Sequence, residues 1–379
     1  MAAAPALLDE LIEELLLRLP PAEPEILVHA ALVCKPWYRI ISDPRFRRRF
    51  REFHRAAPML GFFCNLMDAQ FIPTSSFRPP HAGNFRALDA RHGRVLLDPW
   101  DDMDERFVVV WDPTTDERWE VPVPPPDVWD LLEESYATVL CAAAASPTCD
   151  HHDCHSKPFT LVFAGPGTEP EHEHTSFLHV YSSEGASWSE PIPVPRCCVD
   201  EVLTALVGST LYFSIDCGSR TLSYNLATRQ TSVIHLPPMP DECATALMGM
   251  ENGGLGVAKL DKAAKLSVWS MEVNPNGDIG WTQIKVVELD KLLPVNACSI
   301  SSEFLCYAQG VGVFFVGTYD GLFSFDLMSG KVRKVFEEPC DQIGVLGAFP
   351  CVVPYVSFYT PALGSTTKDE EPGVDATTV

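Results

Sequence analysis

The chain has 379 residues, a formal net charge of −23, 46% hydrophobic residues, 33 prolines and 13 cysteines. Its length exceeds that of one typical domain, and it has no apolar run of the ~18 residues that a membrane span requires. A surface this acidic repels phosphate backbones, which argues against nucleic acid as a partner of the bulk of the chain.

The charge is unevenly placed. Residues 1–58 carry nine Lys/Arg and eight Asp/Glu, a net +1, so the remainder carries −24. The first element in chain order lies at the start of that near-neutral segment. Leu8, Leu11, Ile12, Leu15, Leu16 and Leu19 recur at i, i+3, i+4, i+7, i+8 and i+11, which places them on one stripe of an α-helix. Asp9, Glu10, Glu13 and Glu14 sit early in it, where the helix dipole favours negative charge. Pro20-Pro21 stops the helix, and Pro24 can open the next at its first turn. Ile26, Leu27, Ala30, Ala31 and Val33-Cys34 supply a second apolar surface, continued by Trp37, Ile40 and Ile41. So many large apolar groups within ~45 residues exceed what so short a chain buries unaided. They either cap the following domain or meet a partner helix.

Arg45, Arg47, Arg48, Arg49, Arg51 and Arg55 form one basic patch, with Phe46, Phe50 and Phe53 interleaved at i, i+4 and i+7. That interleaving predicts an amphipathic helix with a solvated arginine face rather than a phosphate site.

These residues carry a resemblance. Leu19-Pro20, Val33-Cys34-Lys35, Trp37, Ile41 and Asp43-Pro44 are similar to the F-box pattern, while the usual opening Leu-Pro is replaced by Leu7-Leu8. The resemblance covers about an eighth of the chain. It implies a substrate-recognition subunit of an SCF-type cullin–RING ubiquitin ligase, docked through a Skp-type adaptor to a cullin, with no catalysis and no cofactor of its own. The residues it assigns to the adaptor are Leu7, Leu8, Leu11, Ile12, Leu15, Leu16, Leu19, Pro20, Val33, Cys34, Lys35, Trp37 and Ile40. Some of these must form the module's own core, and the sequence does not divide the two sets.

From Met59 onward, short apolar runs alternate with Gly, Pro, Asn and Asp, the pattern of strands and turns. Arg94–Leu97, Phe107–Trp111, Thr160–Phe163, Phe177–Tyr181, Thr210–Ile215, Leu266–Met271 and Val313–Val316 are examples. A loose repeat of strand, aromatic, polar turn and second strand begins at Phe107, Phe177, Thr221, Leu266 and Gly321. Its anchors Trp111, Tyr181, Tyr224, Trp269 and Phe325 are 70, 43, 45 and 56 residues apart, which suits four-stranded propeller blades with insertions. Asn276-Gly277 and Ser329-Gly330 are hairpin turns by composition. Ile343–Phe349 and Cys351–Phe358 form half a blade that Leu60–Cys64 and Ala69–Ile72 complete from the other end of the chain.

The expected fold is therefore a small all-α module over 1–58, an all-β propeller of six blades over 59–360, and an acidic disordered tail over 361–379. A seven-bladed ring or a distorted β-sandwich pair are the alternatives. The phrase from Val110 to Pro122 resembles the kelch-like propeller that follows the F-box in many plant proteins. The protein client on that domain is unknown.

The segment Cys149-Asp-His-His-Asp-Cys-His155 is the one metal-like cluster. Its spacing is wrong for a standard finger and no second Cys-x-x-Cys exists, so a polar loop inserted in the second blade is the expectation. A zinc alternative would draw on Cys149, His151, His152, Cys154 and His155, with His172, His174 and His179 following. Asp101, Asp102, Asp104 and Glu105 read as a solvated loop rather than a calcium site. No nucleotide-binding glycine loop, zinc-protease or serine-hydrolase motif occurs. A propeller enzyme or small-molecule binder with a helical cap remains the alternative function, as does an adaptor-bound scaffold without ubiquitination.

The thirteen cysteines are odd in number, and most, including Cys34, Cys64, Cys141, Cys306 and Cys351, lie within apolar strings. They read as buried free thiols of a reducing compartment. The opening residues lack the basic-then-apolar order of a signal peptide, and no Asn-x-Ser/Thr sequon occurs. The expected location is the cytoplasm and/or nucleus.

Overall fold

The computed structural model describes residues 9–65, 69–99, 107–124, 136–146, 149–152, 154, 157–166, 175–200, 202–238, 243–337 and 352–359. Leu7, Leu8, the acidic group at Asp101–Glu105, His155, His172, His174, Ile343–Phe349 and the tail from residue 361 lie outside them. The chain divides into two compact units between Arg55 and Ala56.

The first unit holds four helices: α1 (Asp9–Leu16), α2 (Pro24–Val33), α3 (Lys35–Ser42) and α4 (Pro44–His54). Three of them begin with proline in the first turn, where the missing N–H has no intrahelical partner to lose. Asp43 caps α4: its Oδ1 accepts the Arg45 backbone N–H at 2.8 Å. The core of this unit is Ile12, Leu16, Leu17, Leu27, Ala30, Ala31, Ile41, Phe46 and Phe50. The arginine helix is amphipathic, as its spacing requires. Phe46 and Phe50 are buried, while Arg49 pairs with Glu13 and Glu14 of α1 and Arg48 with Glu52.

The second unit is a six-blade β-propeller made of six small antiparallel sheets. In chain order the strands are β1 (Met59–Cys64), β2 (Gln70–Pro73), β3 (Phe85–Arg91), β4 (Arg94–Pro99), β5 (Phe107–Trp111), β6 (Arg118–Pro122), β7 (Tyr136–Cys141), β8 (Phe159–Pro166), β9 (Thr175–Ser182), β10 (Ser187–Trp188) and β11 (Ile192–Pro195). They continue as β12 (Ala205–Val207), β13 (Thr210–Ile215), β14 (Arg220–Asn225), β15 (Thr231–His235), β16 (Ala244–Gly249), β17 (Leu255–Leu260), β18 (Lys265–Val273), β19 (Ile279–Glu288), a short helix α5 (Leu289–Leu292), β20 (Ile300–Ala308), β21 (Val313–Thr318), β22 (Gly321–Asp326), β23 (Val332–Phe336) and β24 (Val352–Val356).

Four sheets run as simple meanders: β3-β4-β5-β6, β12-β13-β14-β15, β16-β17-β18-β19 and β20-β21-β22-β23. The second blade is β7-β8-β9, with both β10 and β11 paired to β9. The last blade joins the two ends of the domain. β24 pairs with β1 through Phe62↔Pro354 and Phe63↔Val353, and β1 pairs with β2. Such closure fastens the two ends of the ring together and leaves each blade only short sheet edges.

The repeat read in the sequence has a physical cause at its turns. The polar residue that follows the third strand's aromatic anchor, or sits at that strand's end, accepts backbone N–H groups of the next turn. Asp112 accepts from Thr114 at 2.8 Å, Asn225 from Ala227 and Thr228 at 3.0 and 2.9 Å, and Asp326 from Met328 and Ser329 at 3.0 and 2.6 Å. Asn274 does the same for Asn276 and Asp278 at 3.1 and 2.9 Å, and Gly277 and Gly330 take the positive φ that these hairpins need.

Tryptophans tie neighbouring blades. Trp188 Nε1 of the second blade donates to the Pro122 carbonyl of the first at 2.8 Å, and Trp281 Nε1 of the fourth donates to the His235 carbonyl of the third at 2.8 Å. A ring that packs against its neighbour while its N–H finds a partner satisfies both ends of the side chain.

Candidate functional sites

Two places concentrate chemistry. The first is the surface of the helical unit. On α1, Leu11 and Leu15 are 51% and 56% exposed, while Ile12 and Leu16 are buried in the unit's own core. The single apolar stripe read in the sequence is thus split: one edge packs inward and the other faces out. At the α2–α3 junction Leu32 and Val33 are 73% and 64% exposed, and Cys34 and Lys35 are exposed beside them. Leu19, Trp37 and Ile40 are half-buried and Pro20 is exposed.

Cys34 is therefore not one of the buried thiols expected from its apolar neighbours. It is the extended residue between two helices (φ −162°, ψ 161°), and its side chain reaches solvent. Leu32 is an exposed apolar group that the spacing does not single out, because α2 is apolar nearly all round and its stripe has no sharp edge, and Ile26 of the second apolar surface is exposed as well.

The second place is the long loop between β7 and β8. Cys141, the last residue of β7, and Cys149, His151 and Cys154 of the loop bring their ligand atoms within 4.8 Å of one another. Cys149 Sγ and Cys154 Sγ are 3.7 Å apart, and Cys154 Sγ is 3.7 Å from His151 Nδ1. The loop is an insertion in the second blade, as its position in the repeat implies.

The loop is built by short backbone turns. Ala144 N–H donates to the Cys141 carbonyl at 2.8 Å, Ser146 N–H to Ala143 at 2.9 Å, and Lys157 N–H to Cys154 at 3.0 Å. His151 takes a left-handed conformation (φ 58°) and its ring stacks on His92, centroids 4.1 Å apart. His92 comes from the turn between β3 and β4 of the first blade. Its Nδ1 accepts the Cys141 backbone N–H at 3.0 Å, and burial, with the nearby His151, holds it neutral well below the usual imidazole range.

Cations surround the sulfurs. Lys157 Nζ donates to Cys149 Sγ at 3.5 Å, and the buried Arg94 guanidinium donates to the Lys157 carbonyl while lying over the Phe159 ring at 5.5 Å. Hydrogen bonds from Cys154 and His151, and one from the Ala143 backbone, draw the Cys141 thiol well below the ordinary range against the opposing effect of burial. His152 stands apart from the cluster, against Phe358 at a centroid distance of 5.1 Å.

Of the residues named from the sequence, the structure therefore brings together Cys149, His151 and Cys154. It adds Cys141, which its apolar neighbours in the sequence mark only as a buried thiol. The signal for it was faint: a cysteine ending an apolar strand eight positions before Cys149.

Comparison with known proteins agrees with the helical unit. Residues 6–49 match the F-box domain model. The protein thus combines an F-box domain with a six-blade propeller. No curated protein matches the chain. Among solved structures, an oligogalacturonate lyase in complex with manganese is similar at 12% identity and a TM-score of 0.37, over 69% of this chain and 66% of that one. The matched part is thus just under two thirds of that chain's length. Among the described residues, no helix is long and apolar enough to cross a membrane.

Proposed function

We propose that this protein is the client-recognition subunit of an SCF-type ubiquitin ligase, with the helical unit docking a Skp-type adaptor and the propeller holding a protein client. The observation that carries the reading is the outward-facing set Leu11, Leu15, Leu32 and Val33 on a unit that matches the F-box domain. F-box domains generally bind Skp-type adaptors. Large apolar side chains exposed in such number on so small a unit mark a surface that another protein covers. Of the residues first assigned to the adaptor, Leu11, Leu15, Pro20, Val33, Cys34 and Lys35 are exposed for that role, and Leu19, Trp37 and Ile40 flank it. Ile12 and Leu16 hold the helices that present it.

In this reading the protein performs no bond chemistry. It acts by proximity, raising the effective concentration of a client near a loaded conjugating enzyme in the cytoplasm or nucleus. The client's place is the rim of a kelch-like ring, where loops carried by a rigid scaffold do the binding.

The test is co-purification of the full chain with a Skp-type adaptor and a cullin. Stoichiometric recovery of both supports the reading. In Leu11→Glu with Leu15→Glu, recovery should fall at least about tenfold, because docking would desolvate two carboxylates without partners. Unchanged adaptor recovery in a folded double variant would overturn the assignment.

A further inference from the structure

We propose that Cys141, Cys149, His151 and Cys154 form a structural zinc site that pins the β7–β8 loop of the second blade to the end of its innermost strand.

The geometry suits that metal. With Zn–S bonds of about 2.3 Å and Zn–N bonds of about 2.1 Å at tetrahedral angles, two sulfurs stand about 3.8 Å apart and a sulfur and a nitrogen about 3.6 Å apart. The Cys149–Cys154 and Cys154–His151 separations are both 3.7 Å, and all four ligand atoms fall within 4.8 Å of one another. A sulfur-to-sulfur gap of 3.7 Å is far from the about 2.0 Å of a disulfide. Three cysteines also leave one thiol over from any single disulfide, whereas a tetrahedral ion uses all four groups.

The donor set selects the ion. Three thiolates and an imidazole favour a soft or borderline divalent cation over calcium or magnesium, and zinc accepts a tetrahedron without electronic preference. Four protein ligands leave no open position, so the site is structural rather than catalytic.

The surroundings are those of a metal site rather than of loose thiols. Three thiolates, a neutral imidazole and a doubly charged ion sum to one negative charge. Lys157, at 3.5 Å from Cys149 Sγ, and the buried Arg94 stand ready to balance it. His92 lies flat on the His151 ring and is itself anchored by the Cys141 N–H, so it orients the imidazole ligand without competing for the metal. His92 belongs to the first blade and His152 packs on Phe358 just after β24, so the clipped loop touches the first and the closing blade as well as its own. The sequence did not reveal the site because its ligands are not two Cys-x-x-Cys pairs. One ligand arrives on a strand, and only the fold brings it to the other three.

The experiment is metal analysis of the full-length protein, purified under reducing conditions from zinc-supplemented culture, alone or with whatever adaptor co-purifies. The expected result is about one zinc per chain. Replacement by cobalt should give the intense visible absorption of a tetrahedral thiolate site. Cys149→Ser and Cys154→Ser should each lose most of the zinc, and Cys217→Ser, at an exposed thiol outside the cluster, should keep it. His151→Cys should retain the metal and shift the cobalt bands to longer wavelength. Because a cluster variant can fail to fold, the wild-type zinc content and cobalt spectrum stand as tests by themselves. A metal-free folded wild-type protein, a native Cys149–Cys154 disulfide found by mass spectrometry, or octahedral cobalt absorption would overturn the proposal.

Discussion

Arg91, at the end of the first blade's innermost strand, donates from Nη1 to Gln309 Oε1 at 3.2 Å, although the two are 218 positions apart in the chain. The same guanidinium donates to Asp89 Oδ2 at 3.1 Å and to Thr204 Oγ1 at 2.9 Å, and Asp89 in turn accepts from Thr138. Gln309 accepts the Leu206 N–H at 3.3 Å and donates back to its carbonyl. One cation thus joins residues of the first, second, third and fifth blades at the centre of the ring. Hydrophobic packing between blades tolerates small slips, whereas a fork of directed donors does not.

Arg91→Met should therefore cost roughly 3 kcal/mol of propeller stability, because it leaves the Asp89 carboxylate buried without its cation. Asp89 is 1% exposed. Urea unfolding of wild type and variant measures the difference. A loss below the size of an ordinary surface substitution would show that the hub is not holding the ring.

Leu15 and Leu16 should behave oppositely, though they are neighbours in sequence. Leu16→Ala removes a core side chain and should destabilise the helical unit by about 2–5 kcal/mol. Leu15→Ala, at a 56% exposed position, should leave folding nearly unchanged and weaken adaptor binding. Hydrogen exchange of the α1 and α3 amides reads the first effect, and adaptor titration the second.

His179, buried on β9 beside Phe163, Phe177 and Trp188, should make the propeller acid-sensitive. Burial lowers its pKa from 6.5 to about 4. Between those values the unfolded chain binds a proton that the folded chain refuses, so stability falls as pH drops through the window, by on the order of 3 kcal/mol in all. Asp98 acts the other way. Burial, only partly offset by Arg86, raises its carboxyl from 3.8 to about 6, so its folded form gains stability as pH falls from 6 toward 4. Comparing wild type with His179→Phe isolates the histidine. The variant should lose less stability between pH 6.5 and 4, and parallel curves would refute the assignment.

Gly61 should be required for ring closure. Gly61 lies on β1, which pairs with both β2 and β24, and a Cβ there would run into the Phe71 ring and stand 2.6 Å from the Ile72 carbonyl oxygen of β2. Gly61→Ala should cost about 1–3 kcal/mol as the closing blade shifts, seen as a lower melting temperature. Gly277→Ala at an exposed hairpin, with nothing within 4 Å of its Cβ, should cost only the strain of its positive φ.

The helices, the hairpins and the propeller were legible in the chain because their signals are local. Leu-rich spacing over Leu8–Leu19, proline at three helix starts, and the aromatic–turn–strand repeat from Phe107 each act within about ten residues. The pairing of Leu60–Cys64 with Val352–Val356 could be read only because a ring must close, and its register came from the fold. What no local signal carries is which edge of an apolar stripe faces inward, and which distant groups meet. Leu15 and Leu16 look equivalent until the core of the helical unit buries one of them. Arg91 and Gln309 are unremarked polar residues until the ring aligns them. Cys141 is an ordinary buried thiol until the β7–β8 loop folds back and sets three further donors around its sulfur. Spacing along the chain determines secondary structure and blade order because those depend on neighbours. Burial, ion pairing and the gathering of distant donors depend on separations in space, and only the folded helical unit and the closed ring set those.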